Sequence, residues 1–449
     1  MAGPARRGSW PDKQEAKMRR LQIQLLGIFV LLALAAGAAR AAEQQPEKTI
    51  PPGTVITPRN WQQYKQFMNR GLRALFSGQY FWKMPPDFQL VVAPPFHYSD
   101  PKLYQQNTEK YSKNVKIIDL PNGGHSITGY VAGRPFPNPT EPLRGWKLLV
   151  DDWFTYQPHL ICAPECDFYT EDRFYNRAYG RQVWVIRRFS RNSDPGFPID
   201  DPRGKGIDLF EYTQILKPEQ AKYTTVLTVY YTDIAKIQDS FLFIPALRRS
   251  LRLSPAARCS PFNGTDYIYD DTRHGNFNGN LTQFNAVFLG ERYVLIEPRI
   301  SDDWKMIDNL DNYYLPLFFP KPSLGHWDLR HVWLIDVRPI PSYASSYCIS
   351  RRLLYIDQES YDSDEMVQYD NHGKLWKVTF GGSAIVNTPG VGKVWTNGGM
   401  AVLWDLQNNH ASVAMLPFRA NQDCTSIHGV DYRDIGRFSS LAALAHILR

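Results

Sequence analysis

The sequence has little net charge outside its N-terminus. Residues 1–41 contain seven Lys/Arg and two Asp/Glu, which leaves 44 basic and 42 acidic residues in positions 42–449. A nearly neutral chain of this kind is not suited to general binding of a nucleic-acid backbone, which requires a clustered positive charge. We therefore predict no nucleic-acid partner.

The motifs that identify most enzymes are also missing. The chain has no Gly-x-Ser-x-Gly elbow, phosphate loop, dinucleotide fingerprint, His-Glu-x-x-His pair or haem attachment motif. His326 and His331 are five residues apart, which is a poor spacing for two metal ligands on a strand. We predict no catalytic residues, no cofactor and no metal site. A hydrolase acting on lipid or glycan is the alternative, although the sequence offers no candidate nucleophile with a base nearby. Residues 355–361 predict a strand that leads into a turn capped by Asp357, and a catalytic role for Asp357 or Glu359 is the alternative.

The only long apolar run is Leu25–Ala36, at 12 residues. It follows Arg19-Arg20 and precedes small residues at positions 39 and 41, an arrangement typical of a secretory signal peptide. A membrane-spanning helix needs about 20 apolar residues. We predict a signal peptide over residues 1–41, with Met18 as a possible true start and an uncleaved N-terminal anchor as the alternative.

Cysteines are few. Cys162, Cys166, Cys259, Cys348 and Cys424 are the five in the chain. Some should pair in an oxidising compartment. Possible disulfides are Cys162 with Cys166 and Cys348 with Cys424, although connectivity does not follow from sequence. A zinc site at the first pair is the alternative, but no second pair has ligand spacing.

Aromatic residues, Gly and Pro are abundant: 12 Trp, 25 Tyr, 24 Phe, 30 Gly and 33 Pro. This mixture favours strands joined by frequent turns over long helices. Runs of β-branched and aromatic residues predict strands at Val183–Phe189, Asp208–Ile215, Thr224–Thr232, Ser240–Ile244 and Arg292–Pro298.

Four further strands are predicted in immediate succession. They are Arg330–Val337, Tyr347–Asp357, Glu365–Tyr369 and Lys374–Phe380. The last two flank Asp370-Asn371-His372-Gly373, and Asn and Gly tolerate the positive φ of a tight hairpin. Trp376, Val378 and Phe380 share one face of the last strand. This antiparallel meander therefore needs a cover for its apolar face.

Helices are predicted to be few. Apolar residues recur at three- and four-residue spacing over Arg59–Ser77. Lys102–Tyr111 and Leu441–Leu448 are shorter candidates, and Gly145–Tyr156 suits either a buried edge or a short helix. No linker marks a boundary, so we predict one β domain over residues 42–449, in which residues 42–80 are an extended lead-in and a helix.

Several stretches carry a family resemblance. They are Ala132–Pro139 with Gly145–Trp153, Asp239–Arg252 with Phe262–Asp271, and His331–Lys377 with its YIDQESY and YDNHGKLWKV motifs. In order and spacing the chain resembles the bacterial domain of unknown function 1329 family, which is related to outer-membrane lipoprotein-sorting proteins. The resemblance covers essentially all of residues 42–449.

The resemblance implies a mainly β fold: a strongly curved antiparallel sheet, or half-open barrel, with a few covering helices and a concave side that receives acyl chains. It also implies binding and transfer of a lipid or other hydrophobic molecule in the periplasm of a Gram-negative cell. A location at the periphery of the outer membrane is the alternative. The implied partners are an envelope transporter or an outer-membrane protein. The alternative is a structural or adaptor protein that docks on such a partner and fills its cavity with its own side chains.

Candidate ligand-binding residues follow from the strand Ser240–Ile244. Two phenylalanines share one of its faces, and three arginines follow; guanidinium groups bind carboxylate and phosphate. With two tryptophans of the meander, the predicted set is Phe241, Phe243, Arg248, Arg249, Arg252, Trp333 and Trp376. The alternative is that the phenylalanines are core and that the arginines pair with Asp266, Asp270 and Asp271.

Overall fold

The structure is a computed structural model that describes residues 49–254, 258–262, 264–272, 277–300, 303–416, 419–421 and 444. Residues 47–449 form one compact unit. Among the described residues, no helix is both long enough and apolar enough to span a bilayer. The predicted signal peptide, Cys424 and all of the predicted C-terminal helix except Leu444 lie outside the described residues.

Strands make up most of the described secondary structure. In chain order they are β1 (Val55–Ile56), β2 (Leu90–Val91), β3 (Lys116–Asp119), β4 (His125–Thr128), β5 (Leu160–Glu171), β6 (Arg177–Arg188), β7 (Ile207–Lys217), β8 (Thr225–Tyr231), β9 (Asp239–Ile244), β10 (Arg249–Arg252), β11 (Phe284–Ile300), β12 (Tyr313–Tyr314), β13 (Phe319–Pro320), β14 (Gly325–Pro339), β15 (Arg351–Asp357), β16 (Ser363–Tyr369), β17 (Leu375–Thr388), β18 (Gly392–Asp405), β19 (His410–Met415) and β20 (Arg419–Ala420).

Fourteen of these strands form one sheet. Its order is β10-β9-β8-β7-β6-β5-β19-β18-β17-β11-β14-β15-β16, and β20 also pairs with β5. Neighbouring strands are antiparallel except for β11 and β17, which meet in parallel at the single residue pair Arg299 and Ser383. Three short hairpins, β1-β2, β3-β4 and β12-β13, stand apart from it.

The sheet bends back on itself at β17. This strand bonds to β18 and β16 along its length and to β11 at the parallel pair. Strands β5–β8 and β17–β19 also line one shared cavity, which a flat sheet would not allow. At the other end, β10 pairs with β9 and leaves its outer edge free of the other described strands. The predicted mainly β, curved, half-open antiparallel sheet is therefore confirmed.

The predicted meander is confirmed as β14-β15-β16-β17. In the last hairpin Gly373 N donates to Asp370 O at 2.9 Å, and Gly373 has the positive φ of 72° that the turn requires. The last strand is longer than predicted, because β17 continues past Phe380 through Gly381-Gly382 to Thr388.

Helices are short, and they include α-helices and short 3₁₀ helices. The α-helices are α1 (Arg70–Ser77), α2 (Lys102–Tyr111), α3 (Arg144–Trp153), α4 (Trp304–Ile307) and α5 (Pro341–Ala344). The 3₁₀ helices are Trp61–Phe67, Ser112–Asn114, Pro202–Gly204, Glu219–Ala221, Pro245–Leu247, Tyr269–Asp271, Leu281–Gln283 and Leu310–Asn312.

The predicted continuous helix over Arg59–Ser77 is wrong. It is divided into the 3₁₀ helix Trp61–Phe67 and α1, with Met68 extended between them. Asn69 causes the break, because its side-chain oxygen accepts from Leu72 N at 2.7 Å and so starts a new helix. Its amide also donates to the buried Glu365 of β16, which attaches α1 to the sheet.

The sheet buries a separate cluster on each face. On one face residues 50–92 and 304–324 pack on β17 and β18. There the ring centroid of Phe319 lies 4.6 Å from that of Trp404. On the other face α3 packs Trp146 and Leu149 against Ile335 of β14. Residues 50–92 and α3 thus cover the apolar surfaces of the meander.

Candidate functional site: an apolar cavity in the curved sheet

One cavity lies against the middle strands of the curved sheet, from β8 to β17 in the sheet order. Its walls come from β5–β8 on one side and from β17–β19 on the other, and residues of the segment 262–272 close a third side. About 160 Å³ of it can hold the centre of a water-sized molecule, and the empty space is about 1530 Å³ when open solvent at the mouth is included. Most of the lining side chains are apolar or aromatic, among them Ile161, Phe168, Trp184, Ile186, Val386 and Ala414. Such a hollow suits an apolar ligand.

The strand register explains why this wall is apolar. Ile161 of β5 lies opposite Ile186 of β6, and Trp184 shares its face because side chains alternate along a strand. Val183 and Val185 point to the other face, where they are buried in a separate cluster. Strand β6 is therefore apolar on both faces: one packs against protein and the other faces the cavity.

A glycine opposite Phe168 keeps this wall smooth. Gly180 of β6 pairs with Phe168 of β5. A Cβ atom at Gly180 would lie 2.0 Å from the Phe168 ring, well inside van der Waals contact. The absence of a side chain at Gly180 thus lets the aromatic ring lie across the neighbouring strand at the cavity wall.

Asp266 attaches the segment 264–272 to the sheet. Its Oδ2 accepts from Ser412 Oγ at 2.7 Å and lies 2.6 Å from His410 Nδ1. Its backbone N donates to Ser412 Oγ at 2.8 Å, and its carbonyl accepts from Lys377 Nζ at 2.5 Å. These contacts bind the cavity-lining segment to β17 and β19.

The His410–Asp266 contact predicts a pH dependence. The hydrogen bond to Asp266 is the main cause that raises the pKa of His410, and Asp172 and Asp405 act in the same direction. A raised folded-state pKa means that this stabilisation is complete below the unfolded value of about 6.5 and is lost as pH rises through the folded value. We expect the free energy of unfolding to fall between pH 6 and 8, with a His410 share below about 1 kcal/mol because the pair is partly exposed.

Urea unfolding followed by tryptophan fluorescence at pH 6 and pH 8 measures this loss. His410→Gln should reduce it, whereas His372→Gln in the exposed hairpin turn should not. The comparison between variants cancels other groups, such as Asp328, whose pKa burial raises to about 6. Equal losses in wild type and His410→Gln would contradict the assignment.

Two buried aspartates hold the other end of the same segment. Asp270 accepts from the Tyr347 hydroxyl at 2.6 Å. Asp271, which lines the cavity, accepts from Arg352 Nη2 at 3.3 Å, and the same nitrogen donates to the Tyr347 oxygen at 2.7 Å. The Arg352 side chain is only 1% exposed, so the charge pair is shielded from solvent. This network connects the cavity wall to Tyr347 and Arg352, at the start of β15.

A second polar cluster at the cavity wall was not predicted. Tyr156 lines the cavity and donates its hydroxyl to the buried Asp194. Asp194 Oδ2 also accepts from His159 N at 2.5 Å and lies 2.9 Å from His159 Nδ1. Burial and the Asp194 carboxylate raise the pKa of Tyr156, so its phenol stays protonated. The cluster supports the turn that presents Tyr156 to the cavity.

The hydrogen bonds of Asp357 indicate a structural role for its carboxylate. Its Oδ1 accepts from Glu359 N at 2.9 Å and from Ser360 N at 2.8 Å, which is the turn-capping role the sequence predicted. Arg330 Nε donates to the other oxygen at 2.7 Å. Within the described part of the chain, no group of three or more His, Cys, Asp or Glu side chains is arranged to hold a metal ion.

The predicted phenylalanines and arginines lie away from the cavity. Phe241 and Phe243 of β9 pack with Leu227 in the cluster on the opposite face of the sheet. Arg249 and Arg252 are exposed on the edge strand β10, and Arg248 occupies the left-handed turn before it. Ligand binding by these residues stays a prediction, but it would take place outside this cavity.

The proposed partners of those arginines were wrong. Arg252 Nε lies 3.1 Å from Asp239 Oδ1 across the β9-β10 hairpin. Asp266, Asp270 and Asp271 are engaged instead by His410, Arg258 and Arg352, respectively. Sequence proximity suggested local pairing, whereas the sheet brings distant residues to these carboxylates.

The two predicted tryptophans are also outside the cavity. Trp333 is buried against Tyr361 in the cluster beneath α3, with ring centroids 4.9 Å apart. Trp376 is half-buried, and its Nε1 donates to Asp405 Oδ2 at 2.8 Å. The aromatic residues that line the cavity include Trp184 and Phe168, and side-chain alternation along their strands did not distinguish them from core residues.

The predicted cysteine pairing was wrong. Cys259 is bonded to Cys348, and their Cα atoms are 6.0 Å apart, within the range of about 4.4–6.8 Å that is usual for disulfides. Cys162 is disulfide-bonded, but Cys166 is a free buried thiol whose pKa is raised by burial. A link between Cys162 and Cys166 was proposed from their short spacing, but both lie in the extended strand β5, which separates their side chains.

A family model for proteins of unknown function, DUF1329, matches residues 55–439. An uncharacterized protein of Pseudomonas aeruginosa is 21% identical over 361 residues, covering 77% of this chain and 73% of that protein. A DUF1329 family protein of Desulfovibrio piger is similar at a TM-score of 0.42 and 13% identity, over 65% of this chain and 99% of that one. A domain of Vibrio parahaemolyticus, provisionally described as an outer membrane lipoprotein-sorting protein, gives 0.43 and 12%, over 67% and 98%.

Proposed function

The chain belongs to the DUF1329 family of proteins of unknown function, and from its own cavity we propose that it binds and transfers a lipid or other hydrophobic molecule. The observation that carries this proposal is the hollow apolar face shared by β5–β8 and β17–β19. The side chains of the described residues do not fill that space, which favours a carrier over a protein whose cavity is packed with its own residues.

The physical driving force is burial of apolar ligand surface. Each 100 Å² of apolar surface removed from water is worth about 2.5 kcal/mol. An acyl chain that buries about 300 Å² would gain about 7 kcal/mol before the cost of ordering it. No chemical step is required for uptake or release.

The proposed setting is the periplasm, with the N-terminal 41 residues acting as a signal peptide. This location follows from the sequence pattern at the N-terminus. The proposed partner is an envelope transporter or an outer-membrane protein that delivers or receives the ligand.

A second candidate is an adaptor role, favoured by the outer edge of β10, which pairs with no other strand that the structure describes. That edge carries the exposed Leu251, next to the exposed Leu247 of the preceding turn. An unpaired strand edge can accept a strand from another protein. The carrier and adaptor roles differ in whether the cavity is occupied by a ligand.

Native mass spectrometry of protein purified without detergent tests the proposal directly. We expect a co-purifying hydrophobic molecule in stoichiometric amount, which solvent extraction and lipid analysis then identify. An apo mass together with no uptake from added liposomes would overturn the carrier function and leave the adaptor role.

Filling the cavity should weaken binding. Ala414 lines it opposite Phe168 across the β19-β5 pair, so Ala414→Trp would occupy ligand space. Loss of roughly 50–100 Å² of ligand burial corresponds to about ten- to a hundredfold weaker binding of Nile red, an uncharged fluorescent probe. Ala178→Trp, at an exposed position of β6, is the matched control and should bind as wild type does. Equal affinity in both variants would exclude this cavity as the binding site.

A further inference from the structure

The outer half of the β17-β18 hairpin, residues 384–396, is joined to the rest of the sheet at one end only. Strand β16 pairs with β17 only as far as Phe380, and β19 pairs with β18 only from Met400 onward. Strand β11 meets β17 at Ser383 alone. Among the strands that the structure describes, residues 384–396 therefore pair only with one another. We call this two-stranded segment the outer hairpin.

The ladder between the two strands is interrupted at the root of the outer hairpin. Gly382 pairs with Met400, and the next pair along the ladder is Ala384 with Thr396. Three residues of β18 thus lie opposite one residue of β17, and two of the three are glycines. A bulge disrupts the ladder and bends the strand, and glycine weakens a strand further. The root is therefore the place where the outer hairpin can turn relative to the sheet.

The two faces of the outer hairpin have different neighbours, because side chains alternate along each strand. Val386 pairs with Val394, and these two residues line the cavity together with Thr388. Val394 also packs in a cluster with Tyr104 and Tyr156. One face of the outer hairpin is therefore a wall of the cavity.

Trp395 holds the opposite face of the outer hairpin, although its edge also reaches the cavity lining. It pairs with Ile385, on the face away from the two valines. Its ring is stacked on that of Phe96, with centroids 5.9 Å apart, and its centroid lies 6.0 Å from that of Tyr98. The guanidinium carbon of Arg330 lies 6.0 Å from the same ring. Aromatic contacts thus attach the outer hairpin to residues 96–98.

Residues 96–98 are themselves fixed to the sheet. Arg330 of β14 donates to the Phe96 carbonyl. Glu359 Oε2 accepts from Tyr98 N at 2.7 Å and from Arg330 Nη2 at 2.9 Å. The two partners of the aromatic contact therefore belong to different parts of the fold: Phe96 and Tyr98 stay with β14, whereas Trp395 belongs to the outer hairpin.

The other described walls of the cavity are held more firmly. Strands β5–β8 and β19 each pair with a strand on both sides. The segment 264–272 is bound to the sheet through Asp266, Asp270 and Asp271. Opening the cavity at these walls would break a strand ladder or a buried polar network, whereas opening it at the outer hairpin breaks mainly side-chain contacts.

We infer that the outer hairpin is the gate of the cavity: it moves outward about its root to admit or release the ligand, and the packing of Trp395 on Phe96 and Tyr98 keeps it closed. This inference rests on the proposed carrier function, because a gate matters only if a ligand passes. A hinged movement of this kind needs only a few residues that absorb the change in backbone angles.

Stopped-flow fluorescence of Nile red at several protein concentrations measures entry and exit separately. Trp395→Ala should raise the association and dissociation rates about tenfold each, because it removes two aromatic contacts that keep the gate closed. The Kd, which is the ratio of the two rates, should change by less than about threefold. Phe96→Ala, on the other side of the contact, should have the same effect.

Tyr293→Ala is the matched control. The Tyr293 ring stacks on His331 with centroids 4.5 Å apart, and it is not among the described residues that line the cavity. Both rates should stay as in the wild type. Thermal unfolding of each variant checks that it is folded.

A covalent link between the gate and residues 96–98 tests the movement itself. Lys393 is exposed and lies two residues from Trp395 on the same face, and the His97 side chain is 86% exposed. In Lys393→Cys/His97→Cys, a flexible bismaleimide crosslink should slow both Nile red rates at least about tenfold, because the gate can no longer move away. Each single variant treated with the same reagent should keep its rates.

The outcomes distinguish failure of the gate from failure of the carrier function. If the wild-type protein does not bind Nile red, the proposed carrier function fails and the gate with it. If Nile red binds but the crosslink and both alanine variants leave the rates unchanged, the ligand passes elsewhere and the gate is overturned. A rise in the dissociation rate alone would also overturn it, because Trp395 would then contact the bound ligand rather than control its passage.

Discussion

Arg352→Met is expected to lower the free energy of unfolding by about 3–5 kcal/mol. The substitution leaves the Asp271 carboxylate, which is 3% exposed, without its cationic partner. Methionine keeps much of the side-chain volume and can pack against Phe277, Phe284 and Tyr347, whose rings surround the guanidinium at 5.3–6.0 Å. The expected loss is therefore mainly electrostatic, since an unpaired buried charge is far more costly than an absent pair.

Urea denaturation at pH 7.5 measures this loss. Arg338→Met is the matched control, because Arg338 pairs with Asp336 while 59% of its side chain is exposed. It should cost less than about 1 kcal/mol. Similar losses in the two variants would show that Asp271 does not depend on Arg352.

Removal of the Cys259–Cys348 disulfide is expected to be as damaging. Its two cysteines are 89 residues apart, and closing a loop of this size restricts the unfolded chain strongly. The double variant Cys259→Ala/Cys348→Ala should lose about 3–5 kcal/mol. The bond also links the segment before the cavity wall to the chain just before β15.

Equilibrium unfolding in the absence of reductant measures this loss. Cys166→Ala removes a buried thiol and leaves the disulfide in place, and it should cost about 1 kcal/mol. A loss in the double variant no larger than in Cys166→Ala would show that the disulfide does not restrict the unfolded chain as supposed.

These two predictions concern the same region. Asp270 and Asp271 lie on the segment that closes one side of the cavity, and Cys259 lies shortly before it. Each of the three is bound to Tyr347, Cys348 or Arg352. Asp266, on the same segment, binds Lys377 of β17 and His410 and Ser412 of β19. The cavity wall is therefore fixed at several points, and we expect the two destabilised variants to bind Nile red more weakly as well.

Irregularities in β5 and β18 explain why the sequence pattern did not predict them as strands. Strand β5 contains Pro164 between Ala163 and Glu165, a pattern unsuited to a regular ladder. The structure accommodates it with a register shift between Ala163 and Cys166, where the strand bulges. In β18 a similar irregularity accompanies the pair Gly398-Gly399. Gly399 has no room for a Cβ atom, which would lie 2.1 Å from Ile300.

The sequence by itself determined the local pattern of the chain: alternating apolar strands, the Asp370–Gly373 hairpin, the Asp357-capped turn and the helix Lys102–Tyr111. These features depend on neighbouring residues and on side-chain periodicity, which a sequence displays directly. Together with the family resemblance, they led to the correct fold class.

Only the tertiary structure decided which apolar strand faces line the cavity and which pack into a core. Strands β6 and β9 are apolar on both faces, so alternation did not reveal that Trp184 faces the cavity while Phe243 packs into a core. The same holds for Cys259 with Cys348 and for Asp271 with Arg352, which are 89 and 81 residues apart. Such pairs form because the curved sheet brings distant strands together, and that curvature arises from the packing of the whole chain.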